Sequence, residues 1–70
     1  MTINLIFNNQ LRKTIKITKI MTLSDRKSRY VFESNNRFYC TTDYSVCYKD
    51  RIIGYVLYDR YNKKTIFKSK

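Results

Sequence analysis

The sequence predicts an all-β protein, a small antiparallel meander of about six or seven short strands forming a barrel or a two-layer sandwich, with little or no helix. Three observations carry this reading. Apolar residues recur with a period of two along most of the chain. β-Branched and aromatic residues dominate those runs. Short polar connections rich in Asn, Asp and Ser separate them.

The elements follow in order. In "TINLIF", Ile3, Leu5 and Phe7 alternate with Thr2, Asn4 and Ile6, so the run reads as a first strand. Asn8-Asn9 suits a tight turn into "LRKTIKITKIMTL", a second strand in which Ile15 and Ile17 alternate against Lys16 and Thr18. "SDRKSR" (24–29) breaks the pattern as a loop, or as one helical turn capped by Ser24. "YVFE", "RFYCTT", "YSVCYK", "RIIGYVLY" and "KTIFK" read as further strands, and "DRYNKK" as a longer loop. "SNNR" is the clearest turn, because Asn tolerates the positive φ that a type I′ hairpin needs at both central positions.

These turns set a register. With Asn35-Asn36 at the turn, Val31 faces Cys40 and Phe32 faces Tyr39. A turn at Asp43-Tyr44 then sets Cys40 opposite Cys47 and Tyr39 opposite Tyr48, and one at Lys49-Asp50 sets Tyr48 opposite Arg51 and Cys47 opposite Ile52. One face is aliphatic: Val31, Phe38, Cys40, Cys47, Ile52 and Val56. The other carries Phe32, Tyr39 and Tyr48 as a row of rings ending at Arg51, with Arg37 nearby.

Rings displayed on a sheet beside guanidinium groups hold single-stranded nucleic acid by base stacking and phosphate neutralisation. The same rings suit a half-buried β core, where a tyrosine hydroxyl can still reach water, or a protein-binding hot spot. Cations add to the first of these readings. Fifteen Lys and Arg face five Asp and Glu, a net charge of +10, which draws the chain toward polyanions or acid-lined surfaces. Arg26, Lys27 and Arg29 share the exposed "SDRKSR" segment. Further clusters are Arg12-Lys13-Lys16-Lys19 and Arg60-Lys63-Lys64-Lys68-Lys70. The candidate partner-binding residues are therefore Arg26, Lys27, Arg29, Phe32, Arg37, Tyr39, Tyr48 and Arg51.

Catalysis is not expected. The chain has no His, its five carboxylates are scattered mostly at turns, and its one Gly cannot form a phosphate loop. Cys40 and Cys47 lack zinc-ligand spacing, so neither metal nor cofactor is expected. They read as two free thiols acting as small core hydrophobes, with a cross-strand disulfide as the alternative.

Residues 1–70 make one small basic domain, close to the lower size limit for a self-sufficient core, so a homo-oligomer is one expectation. No segment reaches the roughly 18 apolar residues needed to span a bilayer, and "INLIF" is too short for a signal-peptide core. A soluble, cytoplasmic chain is expected. Phe, Tyr, Met, Ile, Asn and Lys supply 36 of 70 residues, which points to an A/T-rich genome: low-GC bacteria, their phages and plasmids, or organelles. The functional expectation is a non-catalytic binding protein that engages nucleic acid or a nucleic-acid-handling complex as an inhibitor of a host nucleoprotein machine, acting in the host cytoplasm if phage-encoded. The alternative is a constitutive RNA-binding or ribosome-associated structural protein.

Overall fold

In the computed structural model, which describes residues 10–70, the segment read as the second strand is instead a helix, α1, Leu11–Asp25. Its sequence carries two periods at once. Ile15-Lys16-Ile17-Thr18 alternates locally, but Thr14, Thr18 and Thr22 recur every four residues, and all three are fully buried. A threonine that faces a core must satisfy its hydroxyl. Thr14 Oγ1 donates to Gln10 O at 3.2 Å, and Thr18 Oγ1 donates to Thr14 O at 2.6 Å. With the hydroxyl bonded back into the preceding turn, the methyl is left to pack. The four-residue repeat is the period that tertiary packing uses, and it overrides the β propensity of the run.

Ser24 lies in the last turn of α1 and caps nothing at its start. The helix ends at Arg26, which adopts the left-handed conformation (φ 60, ψ 31) while its N–H still reaches Thr22 O at 2.8 Å. The expectations for residues 3–7 and for a turn at Asn8-Asn9 lie outside the described residues.

The remaining elements are β1 (Arg29–Ser34), β2 (Arg37–Thr41), α2 (Tyr44–Cys47), β3 (Arg51–Asp59) and β4 (Lys64–Ser69). The strands form one antiparallel sheet in the order β2-β1-β3-β4. The described residues thus form an open four-stranded sheet with a 15-residue helix, where a barrel or sandwich of six or seven strands was expected. The antiparallel, mostly β character holds.

The β1–β2 hairpin has the anticipated register. Asn35 and Asn36 take φ 52 and 62, Val31 pairs with Cys40, and Phe32 pairs with Tyr39. The next connection differs. Asp43 does not enter a two-residue turn but caps α2, its Oδ1 accepting Ser45 N–H at 2.9 Å and Ser45 Oγ–H at 2.7 Å. A side chain that satisfies the first N–H of a helical turn favours that turn over a hairpin. Cys40 therefore does not face Cys47, nor Tyr39 Tyr48.

The sheet's two faces are covered unequally. Arg29, Val31, Cys40, Gly54 and Val56 point toward α1, which packs across all four strands. Phe32 and Ile52 lie on the opposite face and bury against Cys47 of α2, with Tyr30, Tyr39, Val46 and Tyr55 packed around them. A bulge permits this. Val31 pairs with Gly54 but Phe32 pairs with Ile52, so Ile53 has no β1 partner and Ile52 turns to the α2 side. Gly54 is required where it stands. A Cβ there would lie 2.4 Å from Lys68 O and 2.8 Å from Phe67 Cζ.

Candidate nucleic-acid interface

The anticipated row of rings is dispersed by this fold. Phe32 is only 4% exposed and stacks on half-buried Tyr39, with centroids 5.4 Å apart and planes at 26°. These two rings are core. Tyr48 lies beyond α2, outside the sheet, and is 53% exposed. Arg51 is exposed and pairs across the strands with Glu33 at 3.0 Å. Arg37 is exposed at the β1–β2 hairpin.

The "SDRKSR" segment divides in two. Arg29 is buried, with its guanidinium gripped by both Asp25 oxygens (Nη1 to Oδ1, 2.8 Å) and donating to Lys27 O at 3.1 Å. It braces the end of α1 against the start of β1 and is no surface cation. The same pairing holds the Asp25 carboxyl below its ordinary range, aided by the Lys27 N–H that donates to Oδ1 at 3.0 Å. Arg26 and Lys27 remain exposed on the outside of the loop.

Their surroundings are not visible from local sequence. Tyr58 N–H donates to Ser28 Oγ at 3.0 Å, which joins the α1–β1 loop to the far end of β3 across a separation of 30 residues. That bond brings the β3–β4 turn alongside Arg26. Asp59 folds the turn, its Oδ1 accepting Tyr61 N–H at 3.0 Å and Asn62 N–H at 3.2 Å, while Oδ2 accepts Asn62 Nδ2–H at 2.8 Å. Those Asn62 donors hold the Asp59 carboxyl below its usual range. The turn closes through Lys63 at φ 53.

Between the two loops lies an open cleft of about 520 Å³ lined by Arg26, Tyr58, Arg60 and Lys63. It has three cations and no carboxylate in its lining. The acids on either side, Asp25 and Asp59, are committed to Arg29 and to turn N–H groups. Two guanidinium forks and one ammonium fit phosphate oxygens, the forks as bidentate donors and the ammonium as a point charge.

Backbone conformation marks this cleft as well. Among the described residues, four non-glycines have positive φ: Asn35, Asn36, Arg26 and Lys63. Asparagine tolerates that region, whereas a long cationic side chain holds it at a cost of about 1–2 kcal/mol. Both cations in this conformation line the cleft.

The aromatic surface is rebuilt from other tyrosines. Tyr30 contacts Tyr44 and Tyr55, each at 5.5 Å between centroids, and Tyr44 continues to Tyr48 at 6.2 Å. Lys49 Nζ stands 5.6 Å from the Tyr48 ring centre. Beside Tyr30 and Tyr55 opens a smaller cavity of about 230 Å³, lined also by Ser28, Arg29, Thr42 and Leu57. Of the eight residues anticipated, the structure brings Arg26 into the cleft. Arg60 and Lys63, visible in the sequence only as part of a basic C-terminal cluster, join it together with Tyr58.

Among the described residues no cluster of three or more His, Cys, Asp or Glu could hold a metal, and no helix is long and apolar enough to cross a membrane. Cys40 and Cys47 are buried thiols, and neither is in a disulfide among the described residues. No protein-family model matches the chain, and no match to it was found among curated proteins or solved structures.

Proposed function

We propose that this protein is a non-catalytic nucleic-acid-binding module that grips the phosphate backbone in the cleft between the α1–β1 loop and the β3–β4 turn. The observation that carries the reading is the convergence of Arg26, Arg60 and Lys63 from distant parts of the chain, with the neighbouring carboxylates already engaged. A net charge of +10 extends the attraction beyond the cleft, and Lys27 and Lys64 flank it along the chain. A module of this kind suits an inhibitor that competes for the strand of a host nucleoprotein machine.

The test is a salt series on a labelled single-stranded oligonucleotide. Each phosphate neutralised on a single strand contributes about −0.7 to the slope of log affinity against log salt, so three cleft contacts supply about −2. The triple variant Arg26→Ala, Arg60→Ala, Lys63→Ala is expected to lose that much slope while keeping its fold. An unchanged slope removes the cleft from the function. A constitutive ribosomal component would instead sediment with ribosomes from cell extract.

A further inference from the structure

We propose that the cavity beside the cleft, lined by Ser28, Tyr30, Thr42, Tyr55 and Leu57, receives an unpaired nucleobase of the strand whose phosphates occupy the cleft. The proposal rests on the phosphate reading and deepens it from polyanion binding to single-strand recognition.

The two sites adjoin at one junction. Ser28 lines the cavity and accepts the N–H of Tyr58, which lines the cleft. Leu57 and Tyr58 are consecutive in β3, so their side chains leave on opposite faces of the sheet. A strand whose backbone sits in the cleft can pass over this end of the sheet and place a base on the other face.

The lining chemistry matches a base better than a phosphate. Tyr30 and Tyr55 meet edge to face at 68°, so the cavity borders on aromatic surface, and Leu57 adds an apolar contact. Arg29, the one cation in the lining, spends both Nη atoms on Asp25 and Lys27 O, and its Nε, which has no hydrogen-bond partner among the described residues, is buried out of reach of a phosphate. The hydroxyls of Ser28 and Thr42 supply both donor and acceptor capacity, which serves any base edge without selecting one. A volume of about 230 Å³ accommodates a single planar base. Duplex nucleic acid keeps its bases stacked inside and cannot use such a pocket.

The experiment compares two probes with equal phosphate count on the full chain: a labelled oligothymidylate and an oligomer of the same length in which every base is replaced by an abasic site. The base-bearing strand is expected to bind about tenfold more tightly, the scale of one stacked base. Tyr55→Leu should bring its affinity down to that of the abasic strand and leave abasic binding unchanged, with folding checked by circular dichroism. Equal binding of both probes to the unaltered protein overturns the base pocket and leaves the phosphate cleft standing. Binding of neither probe overturns both. The comparison needs no variant, so loss of folding in Tyr55→Leu leaves it decisive.

Discussion

Replacing Arg26 and Lys63 by glycine should raise stability and lower affinity in the same molecule. Each residue holds a left-handed backbone that costs a side-chain-bearing residue about 1–2 kcal/mol, and glycine escapes that cost. Glycine also has more freedom to lose on folding, which returns about 0.5–1 kcal/mol of the gain. The net is about 0.5–1 kcal/mol per site, or about 1–2 kcal/mol for Arg26→Gly with Lys63→Gly. For a domain of this size each kcal/mol moves Tm by roughly 4–8 °C, so a rise of roughly 4–16 °C is expected.

Affinity moves the other way. A single-strand phosphate contact scales with salt to the power of about −0.7, which at physiological salt of about 0.15 M corresponds to roughly fourfold in affinity. Two lost contacts weaken binding about fifteenfold and flatten the salt slope by about 1.4. Thermal unfolding by circular dichroism and fluorescence anisotropy with a labelled single strand read the two quantities. A double variant that is stabilised yet binds within twofold of the parent refutes the cleft as the binding site. A double variant that melts earlier refutes the strain argument.

Three further outcomes follow from the packing. Gly54→Ala should lower the urea midpoint by about 2–3 M, from an overpacking cost of about 2–3 kcal/mol and a slope of about 1 kcal/mol/M, because the nearest obstruction is a backbone carbonyl; a loss under about 0.5 kcal/mol contradicts the β3–β4 register. Asp25→Ala leaves a buried guanidinium unpaired and should cost about 2–3 kcal/mol at neutral pH, at or below the low end for buried pairs since the Asp25 side chain is 38% exposed. Because its folded carboxyl is depressed by Arg29, the contribution of Asp25 is present above the ordinary value of 3.8 and is lost as pH falls through the lower folded value. Acid titration of stability should show that step in the parent and not in Asp25→Ala. Burial pushes both Cys40 and Cys47 thiols up, and the sheet lies between them. Neither should react with a disulfide reagent in the native state, both should react in urea, and native oxidation should form no intrachain bridge.

Local chemistry made the β1–β2 hairpin legible. Asn35-Asn36 specifies a turn that needs positive φ twice, and the pairings of Val31 with Cys40 and Phe32 with Tyr39 follow from it. Where two local signals competed, the sequence was ambiguous. In α1 a β-branched alternation concealed a threonine repeat whose value depends on a sheet to pack against and on hydroxyls bonding backward. At Asp43 a turn residue proved to be a helix cap, and one short helix was enough to separate Tyr48 from Tyr39. The site was legible only as charge. Arg26 and Lys27 stood out in "SDRKSR", but their conjunction with Arg60 and Lys63 depends on the Ser28–Tyr58 hydrogen bond, which no local pattern announces. Arg29 was misread for a physical reason. Spacing alone does not distinguish a solvated arginine from one that locks a helix to a strand.

The cleft draws one wall from residue 26 and the other from residues 60 and 63, so it exists only once β3 has docked beside β1. An unfolded chain offers its ligand scattered cations; the native one offers them gathered. Any polyanion that prefers the gathered form therefore acts as mortar for the fold, raising its melting point with concentration and quieting the mutual repulsion of fifteen like charges. On the proposed reading, capturing a strand and completing the fold are a single equilibrium.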